Sequence, residues 1–326
     1  MIAVTGATGL LGNAIIQQLM NDGYQVVAIT RKIKPENPTN EKLVWREADV
    51  TDPVSLHEAF TGVDGVIHAA ALVSFNPRQR KELFQINVTG TRNVVNACIN
   101  LGIKRLVYIS SVAALGRKKN QTVIDEDNPW TDSALNTWYA ESKYRGELEV
   151  FRAQEEGLST AILNPSVILT RGNWNNSSAR LFKYVWKEMP FYIEGSLNYV
   201  DGRDAATLAV KLYFSGFEGE RFIANAGTVT FKNFFDAVAK RFQRRPPSIK
   251  VSGNFLKVLS SMEQLRARLG GDPLITRETA QLADTFFAYD NRKIKHRLGF
   301  SFQSFESTID WCCSYYLDLL KIQNNR

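Results

Sequence analysis

Tyr139 and Lys143 stand four positions apart in the run Tyr139-Ala140-Glu141-Ser142-Lys143. In a helix that spacing places both side chains on one face. A free tyrosine keeps its proton until about pH 10, too tightly to serve as a base near neutrality. An ammonium one turn along favours the phenolate and lowers that value, which suits the pair to moving a proton on or off an oxygen. Taken alone, the same spacing is that of an exposed tyrosine beside a solvated lysine. A second group of residues gives it weight. The apolar run Arg105–Ile109 ends in Ser110-Ser111, and a serine at the carboxyl end of a parallel strand faces the ligand crevice, where one hydroxyl can hydrogen-bond a substrate oxygen.

The third group is a glycine loop. Ile2–Thr5 runs straight into Gly6-Ala7-Thr8-Gly9-Leu10-Leu11-Gly12, followed by the amphipathic stretch Leu10–Met20. Gly6 permits a tight turn, Gly9 lets backbone approach a pyrophosphate, and Gly12 lets helix and strand pack closely. The helix N-terminus adds free N–H groups and a positive dipole end. Glycine spacing alone is weak, but at the first strand–helix turn of a βαβ unit it reads as a dinucleotide site. The second strand chooses the cofactor. NAD enzymes place an acid about 20 residues beyond the glycines. Here Ile29-Thr30-Arg31-Lys32 occupies that place and the first acid is Glu36. Arg31 can fork onto a 2′-phosphate, with Lys32 or Lys34 adding charge, so NADP is expected rather than NAD. Asp49-Val50 follows the third strand, where Asp49 can accept from the adenine amino group; a helix N-cap role fits Asp52 better. Hydride would then pass between the nicotinamide and a substrate carbon while Tyr139 handles the proton on oxygen, the oxidised ring adding to the ammonium in favouring the phenolate.

Positioning these groups requires a particular frame. Short apolar runs at Ile2–Thr5, Gln25–Thr30, Lys42–Trp45, Gly65–Ala69, Arg105–Ile109 and Thr160–Leu163 predict strands. Helix-length amphipathic stretches lie between most of them: Leu10–Met20, Ser55–Phe60, Lys81–Asn100 and Tyr139–Glu155. Alternation of this kind, with right-handed crossovers, gives an α/β Rossmann fold, a doubly wound parallel sheet covered on both faces. The expected NADP-binding domain is 1–169, with its sheet completed by 200–227. After Pro165 the rhythm breaks: 170–199 reads as irregular with one helix near Ser178–Glu188, Asp201–Phe214 as a helix, Arg221–Ala224 as a strand, and 228–326 as mostly helical. The region 170–326 is therefore expected to be a smaller, mostly helical substrate-binding part over the open end of the first.

Composition bounds the rest. The 326 residues suffice for one large domain or two, and 44% apolar content excludes a disordered chain. No apolar run reaches the roughly 18 residues that span a bilayer, and Met1 opens directly on a strand, so neither a membrane span nor a leader is expected. Three cysteines, two of them adjacent (Cys312 and Cys313), fit a reduced cytoplasmic setting. The histidines His57, His68 and His296 lack metal-ligand spacing, so no metal is expected. The net charge of +7 is partly clustered, at Lys240, Arg241, Arg244 and Arg245 and at Arg292, Lys293, Lys295, His296 and Arg297. A solvated helix face is preferred to an anionic partner, and no aromatic-plus-basic motif supports nucleic-acid binding.

Together these residues resemble the extended short-chain dehydrogenase/reductase family. The match runs over about 1–227 and rests on the glycine loop, Asp49-Val50, His68-Ala69-Ala70-Ala71, Asn87-Val88-Thr89-Gly90-Thr91, Ser110-Ser111, the Tyr139–Lys143 run and Asn198-Tyr199-Val200-Asp201. The resemblance implies that Ser111, five residues before Gly116, joins Tyr139 and Lys143 as the catalytic set, with Ser110 supporting. It implies that His68, Ala69 and Ala70 line the cofactor, that Asn87 is a structural or proton-relay residue, and that Ile109, Pro165 and Ser166 lie at the nicotinamide end. Taken singly, His68 reads better as a packed histidine and Asn87 as a satisfied buried amide. Asn164-Pro165-Ser166-Val167-Ile168-Leu169, Arg31 and Asn198–Asp204 resemble the dihydroflavonol-reductase-like and 3β-hydroxysteroid-dehydrogenase-like branch. That branch implies NADPH-dependent reduction of an aldehyde or ketone, or its reverse. Val73, Ser111, Trp174 and Phe182 are then expected at the substrate pocket, with Trp186, Phe191 or Tyr192 also candidates to close it; core packing is the competing reading for each aromatic. Leu115 and Thr170–Trp174 depart from the family pattern beside that pocket. The alternatives are a sugar-nucleotide epimerase, disfavoured by the missing acid after the second strand, and a non-catalytic NADP(H) sensor, disfavoured by the intact Ser111, Tyr139 and Lys143. A dehydratase is disfavoured by Val112-Ala113 after Ser111. The helices carrying Asn87 and Tyr139 suggest, by the same resemblance, a homodimer.

Overall fold

The computed structural model describes the chain except for 34–39, 119–120, 134, 176, 252–284 and 325–326. Seven strands form one parallel sheet: β1 (Ile2–Thr5), β2 (Val26–Thr30), β3 (Leu43–Glu47), β4 (Gly65–His68), β5 (Arg105–Ile109), β7 (Ser159–Pro165) and β11 (Glu220–Ala224). Their order across the sheet is β3-β2-β1-β4-β5-β7-β11. The order reverses between β1 and β4, so a crevice opens there beyond the carboxyl ends of the strands. Register keeps those ends level: Thr5 pairs with Ile29 on one side and His68 on the other, and Ile109 pairs with Leu163.

Strands β1, β2, β4 and β5 are short and buried along their whole length because both faces are covered, whereas the edge strand β3 is partly exposed. Ile2 and Val4 point to one side, where Ile15, Ile16 and Leu19 of α1 (Leu10–Asn21) and Ala205, Leu208 and Leu212 of α7 (Gly202–Phe214) pack on them. Ala3, Val27, Val66 and Leu106 point to the other. There they meet Leu56 of α2 (Pro53–Phe60), Val94 and Val95 of α4 (Thr91–Asn100), and Val150 and Ala153 of α5 (Trp138–Glu155). Each large side chain fully buried in these layers contributes about 1.5–3 kcal/mol. Asp52 caps α2 by accepting from Val54 N at 3.0 Å, with Pro53 in the first turn. Thr137 caps α5 by accepting from Ala140 N at 3.1 Å.

The stretch Lys81–Asn100, expected as one helix, is interrupted. Residues Arg80–Phe84 form the short helix α3, Gln85–Gly90 form a π-helical turn, and α4 follows. The extra residue in that turn directs Asn87 inward.

Beyond β7 the chain holds more strand than its sequence suggests. The irregular stretch 170–199 contains helix α6 (Arg180–Trp186), strand β9 (Phe191–Ile193) and the start of β10 (Ser196–Asp201). Strand β10 pairs with β8 (Val167–Leu169) and β12 (Gly227–Thr230). Two small parallel pairs complete the region, β9 with β13 (Ile249–Val251) and β6 (Val123–Ile124) with β14 (Ala288–Tyr289). Three of its helices, α6, α8 (Phe231–Phe242) and α10 (Phe305–Asn324), supply most of a separate aromatic-rich core, and a short helix α9 (Arg292–Leu298) packs against the main sheet. The description of 228–326 as mostly helical therefore needs these strands added, and its part in 252–284 lies outside the described residues.

Candidate active site

The glycine loop forms the floor of the crevice. Gly6 adopts φ +67°, and a Cβ there would lie 2.8 Å from Ala70 N and Cα. A Cβ on Gly12 would lie 2.1 Å from Gly6 O, so helix and turn approach as only glycine allows. Gly9 N donates to Gly6 O at 2.9 Å and closes the turn. Thr8 and Gly9 are exposed, Leu10 and Leu11 half-buried, and no acid stands in the first turn of α1. The exposed turn, its missing side chains and the N–H groups at the start of α1 fit a dinucleotide pyrophosphate. Gly172 from the second region presses on this mouth; a Cβ there would lie 2.1 Å from Leu10 Cδ2.

Arg31 and Lys32 follow β2, next to the glycine turn in the sheet, and both are exposed. Neither forms an ion pair among the described residues, so both charges are free for a ligand. Lys34 and Glu36 lie outside the described residues. Asp49 is half-buried; its Oδ1 accepts from Thr51 N at 2.8 Å and Thr51 Oγ1 at 2.7 Å, a turn of its own, while Asp52 takes the cap. Val50 packs against Gly90.

His68 requires a correction as a cofactor-lining side chain. It is fully buried, its Nδ1 hydrogen-bonded to Thr5 Oγ1 at 2.6 Å and its Nε2 to Thr91 Oγ1 at 3.1 Å. Both ring nitrogens are used in tying β4 to β1 and α4. Burial, with the Lys143 charge adding to it, pulls its pKa from 6.5 to about 3, so the ring is neutral. Ala69 and Ala70 remain half-buried beside Gly6. Asn87 is a satisfied amide. Its Oδ1 accepts from Leu72 N at 2.8 Å, and its Nδ2 donates to Leu72 O at 2.9 Å and Ser142 Oγ at 3.0 Å. It clamps the loop after β4 to the helix that carries Tyr139.

Ser111, Tyr139 and Lys143 converge at the end of β5. Lys143 is 1% exposed; its Nζ donates to Ile109 O at 2.8 Å and lies 4.3 Å from the Tyr108 ring centroid. The half-buried Tyr139 phenol lies beside the Ser111 hydroxyl. The protein groups around Tyr139 do not by themselves lower its pKa. Burial raises it, and the neighbouring Ser111 hydroxyl only partly opposes that. Lys143 is itself lowered to about 7 by burial, with Glu147 opposing. The ammonium is engaged by a carbonyl and a ring, so desolvation of the phenol dominates. Phe75 meets the Tyr139 ring edge-on at 5.8 Å, a contact that no periodicity in the loop signalled.

Pro165 and Ser166 are buried, and Ser166 N and Oγ both donate to Ala224 O. Asn164 does more than its motif suggested. Its Nδ2 donates to Ser111 O at 2.9 Å and to Glu147 Oε1 at 2.5 Å. Glu147 was missed in the sequence, although its i, i+4 spacing from Lys143 was a usable signal.

The aromatic side chains expected at the pocket are placed differently from one another. Phe182 is fully buried and packs on Phe234 and Tyr316, because the second region needs a core of its own. Trp186 packs on Phe242 and under Arg244. Trp174 is half-buried and stacks on Tyr316; Val73 and Phe191 are exposed, and Tyr192 is half-buried. The basic clusters are largely paired: Arg241 with Asp310, Arg245 with Glu188, Arg292 with Asp290, and Lys293 and Arg297 with Glu220. Among the described residues no group of His, Cys, Asp and Glu could hold a metal ion, and no helix is long and apolar enough to cross a membrane.

A parallel sheet with this strand order, a glycine cradle at the switch point and a serine, tyrosine and lysine at the next strand end define an extended short-chain dehydrogenase/reductase. The chain belongs to the NAD dependent epimerase/dehydratase family, whose model matches residues 2–191, and is thus an NAD(P)-dependent enzyme. It is 29% identical to a putative dihydroflavonol 4-reductase of Synechocystis sp. over 91% of this chain and 88% of that one. It is 29% identical to cinnamoyl-CoA reductase 1 of Petunia hybrida, over 77% and 80% of the respective chains. The crystal structure of gox2253 superposes with a TM-score of 0.84 at 27% identity, covering 98% of each chain.

Proposed function

We propose that this protein is an NADP(H)-dependent reductase of an aldehyde or ketone, acting with Ser111, Tyr139 and Lys143. The observation that carries the reading is the buried Lys143, one turn from Tyr139 on α5, with its Nζ donating to Ile109 O at 2.8 Å at the carboxyl end of β5, next to Ser111. The glycine turn from Gly6 to Gly12 would hold the pyrophosphate, Arg31 and Lys32 the 2′-phosphate, and Asp49 the adenine. The bound cofactor supplies the hydride. Ser111 orients the substrate oxygen by hydrogen bonding. Tyr139, kept protonated by burial, is the proton donor to that oxygen, which suits reduction better than oxidation. Likeness to two named reductases supports this direction.

In this reading 1–169 with 200–227 form the cofactor side and 170–326 the substrate side. The three buried thiols suit a cytoplasmic setting. The faces of α4 and α5 are the proposed homodimer contact, which light scattering would check. The test of function is loss of NADPH fluorescence across a panel of aldehydes and ketones. Tyr139→Phe is expected to abolish turnover, by at least a hundredfold, while NADPH binding stays within about twofold. Retained turnover would remove the phenol from its role. Cofactor released only on denaturation, without net consumption, would point to an epimerase instead.

A further inference from the structure

Lys143 has a companion that proton transfer by serine and tyrosine leaves unexplained. Glu147 lies one turn further along α5, with none of its side chain exposed. An unpaired buried carboxylate is costly to desolvate, so its position demands partners. Two strands supply them. Asn164 of β7 donates Nδ2 to Oε1 at 2.5 Å, and Arg221 of β11 brings Nη1 within 3.4 Å of Oε2. The same Asn164 nitrogen donates to Ser111 O at 2.9 Å, while Lys143 Nζ donates to Ile109 O at 2.8 Å. The helix cannot turn away. A Cβ on neighbouring Gly146 would lie 2.5 Å from Tyr108 Oη and 2.9 Å from Asn87 O, so α5 is pressed flat against β5 and the π-helical turn.

We infer that Glu147 is a positioning residue, a buried anion fixed by Arg221 and Asn164 that keeps Lys143 an ammonium and the Ser111 end of β5 in place. The inference rests on the reading of Lys143 as part of the proton-transfer site. The other titratable groups around the pair are His68 from β4, Tyr108 from β5, Tyr139 from α5 itself and Arg221 from β11. Burial holds His68, Tyr108 and Tyr139 in their neutral forms; it also raises the Glu147 carboxyl above its ordinary value, which the Arg221 charge, Asn164 and Lys143 oppose. Glu147 is therefore the group in this set that can favour the lysine charge, and it opposes the burial that draws Lys143 down to about 7.

Glu147→Gln keeps the shape and an oxygen for Asn164 but removes the charge. The readout is the Lys143 titration in ligand-free protein, followed by NMR of 13Cε-labelled lysine and assigned by the signal lost in Lys143→Met. We expect the midpoint to fall by at least one pH unit in Glu147→Gln, a tenfold change in acid constant, and by less in Glu147→Asp. An unmoved midpoint in folded Glu147→Gln overturns the proposal. Wild-type protein labelled at glutamate 13Cδ gives a reading that needs no folded glutamine variant, with the Glu147 signal assigned through Glu147→Asp. Its carboxyl resonance should lie in the ionised range and move as Lys143 titrates; a protonated position throughout also overturns the proposal. Turnover enters neither measurement. A shifted midpoint in a protein that reduces no carbonyl would retain this charge relation and remove only the reductase reading.

Discussion

Arg31 is the residue on which the proposed cofactor choice turns. It follows β2 with its guanidinium exposed and unpaired among the described residues, where an acid would recognise a ribose hydroxyl. A charged hydrogen bond to a 2′-phosphate contributes about 1.5–3 kcal/mol. Arg31→Ala is therefore expected to reduce the ratio of kcat/KM for NADPH over NADH by roughly tenfold to a hundredfold. An unchanged ratio would place the preference elsewhere. Tyr139 and Lys143 teach a different lesson at this scale. Their spacing was legible, but the direction of the tyrosine shift was not. Spacing fixes which face a side chain occupies; burial and the competing partners of the ammonium come from strands far away in sequence.

Among the elements, the junction of β1, β4 and α4 depends on His68. Its imidazole is neutral, with a folded pKa of about 3 against the ordinary 6.5. The unfolded chain thus takes up a proton more readily than the folded one. The stabilisation is complete above pH 6.5 and is lost as pH falls from there toward 3, by about 1.4 kcal/mol per pH unit. Urea unfolding of wild type and His68→Gln at pH 7.5, 6.0 and 5.0 should show the wild-type advantage shrinking as the solution becomes more acid. A difference independent of pH would mean the ring is already charged in the fold. The π-helical turn belongs to the same scale. Apolar periodicity carried a helix through Lys81–Asn100, and the inserted residue that brings Asn87 to Leu72 left no mark on that pattern.

In the whole molecule, two regions are joined through Asp201. It ends β10 in the second sheet, caps α7 beneath the first, and accepts from Arg203 N, Nε and Nη2 at 2.8, 3.0 and 2.6 Å. Arg203 lies over Trp311 of α10 at 4.4 Å, and Arg171 lies over the same ring at 4.4 Å. Asp201→Asn sets an amide N–H against the guanidinium and should destabilise the protein by about 1–3 kcal/mol. Chemical denaturation measures this, and a change below about 0.5 kcal/mol would show that the junction does not depend on the ion pair.

What the sequence settled by itself was whatever short-range pattern controls. The apolar runs from Ile2–Thr5 to Thr160–Leu163 correspond to sheet strands, because strands buried on both faces must be continuously apolar. The glycine turn and the helix shared by Tyr139 and Lys143 were readable for the same reason. Tertiary structure alone decided the placement of Phe182 in a core, of His68 between two threonines, and of Glu147 beneath the lysine. It also decided the strands β8, β9, β10 and β12, each three to six residues long. Such segments are too short to show a period, and what fixes them is a partner many residues away.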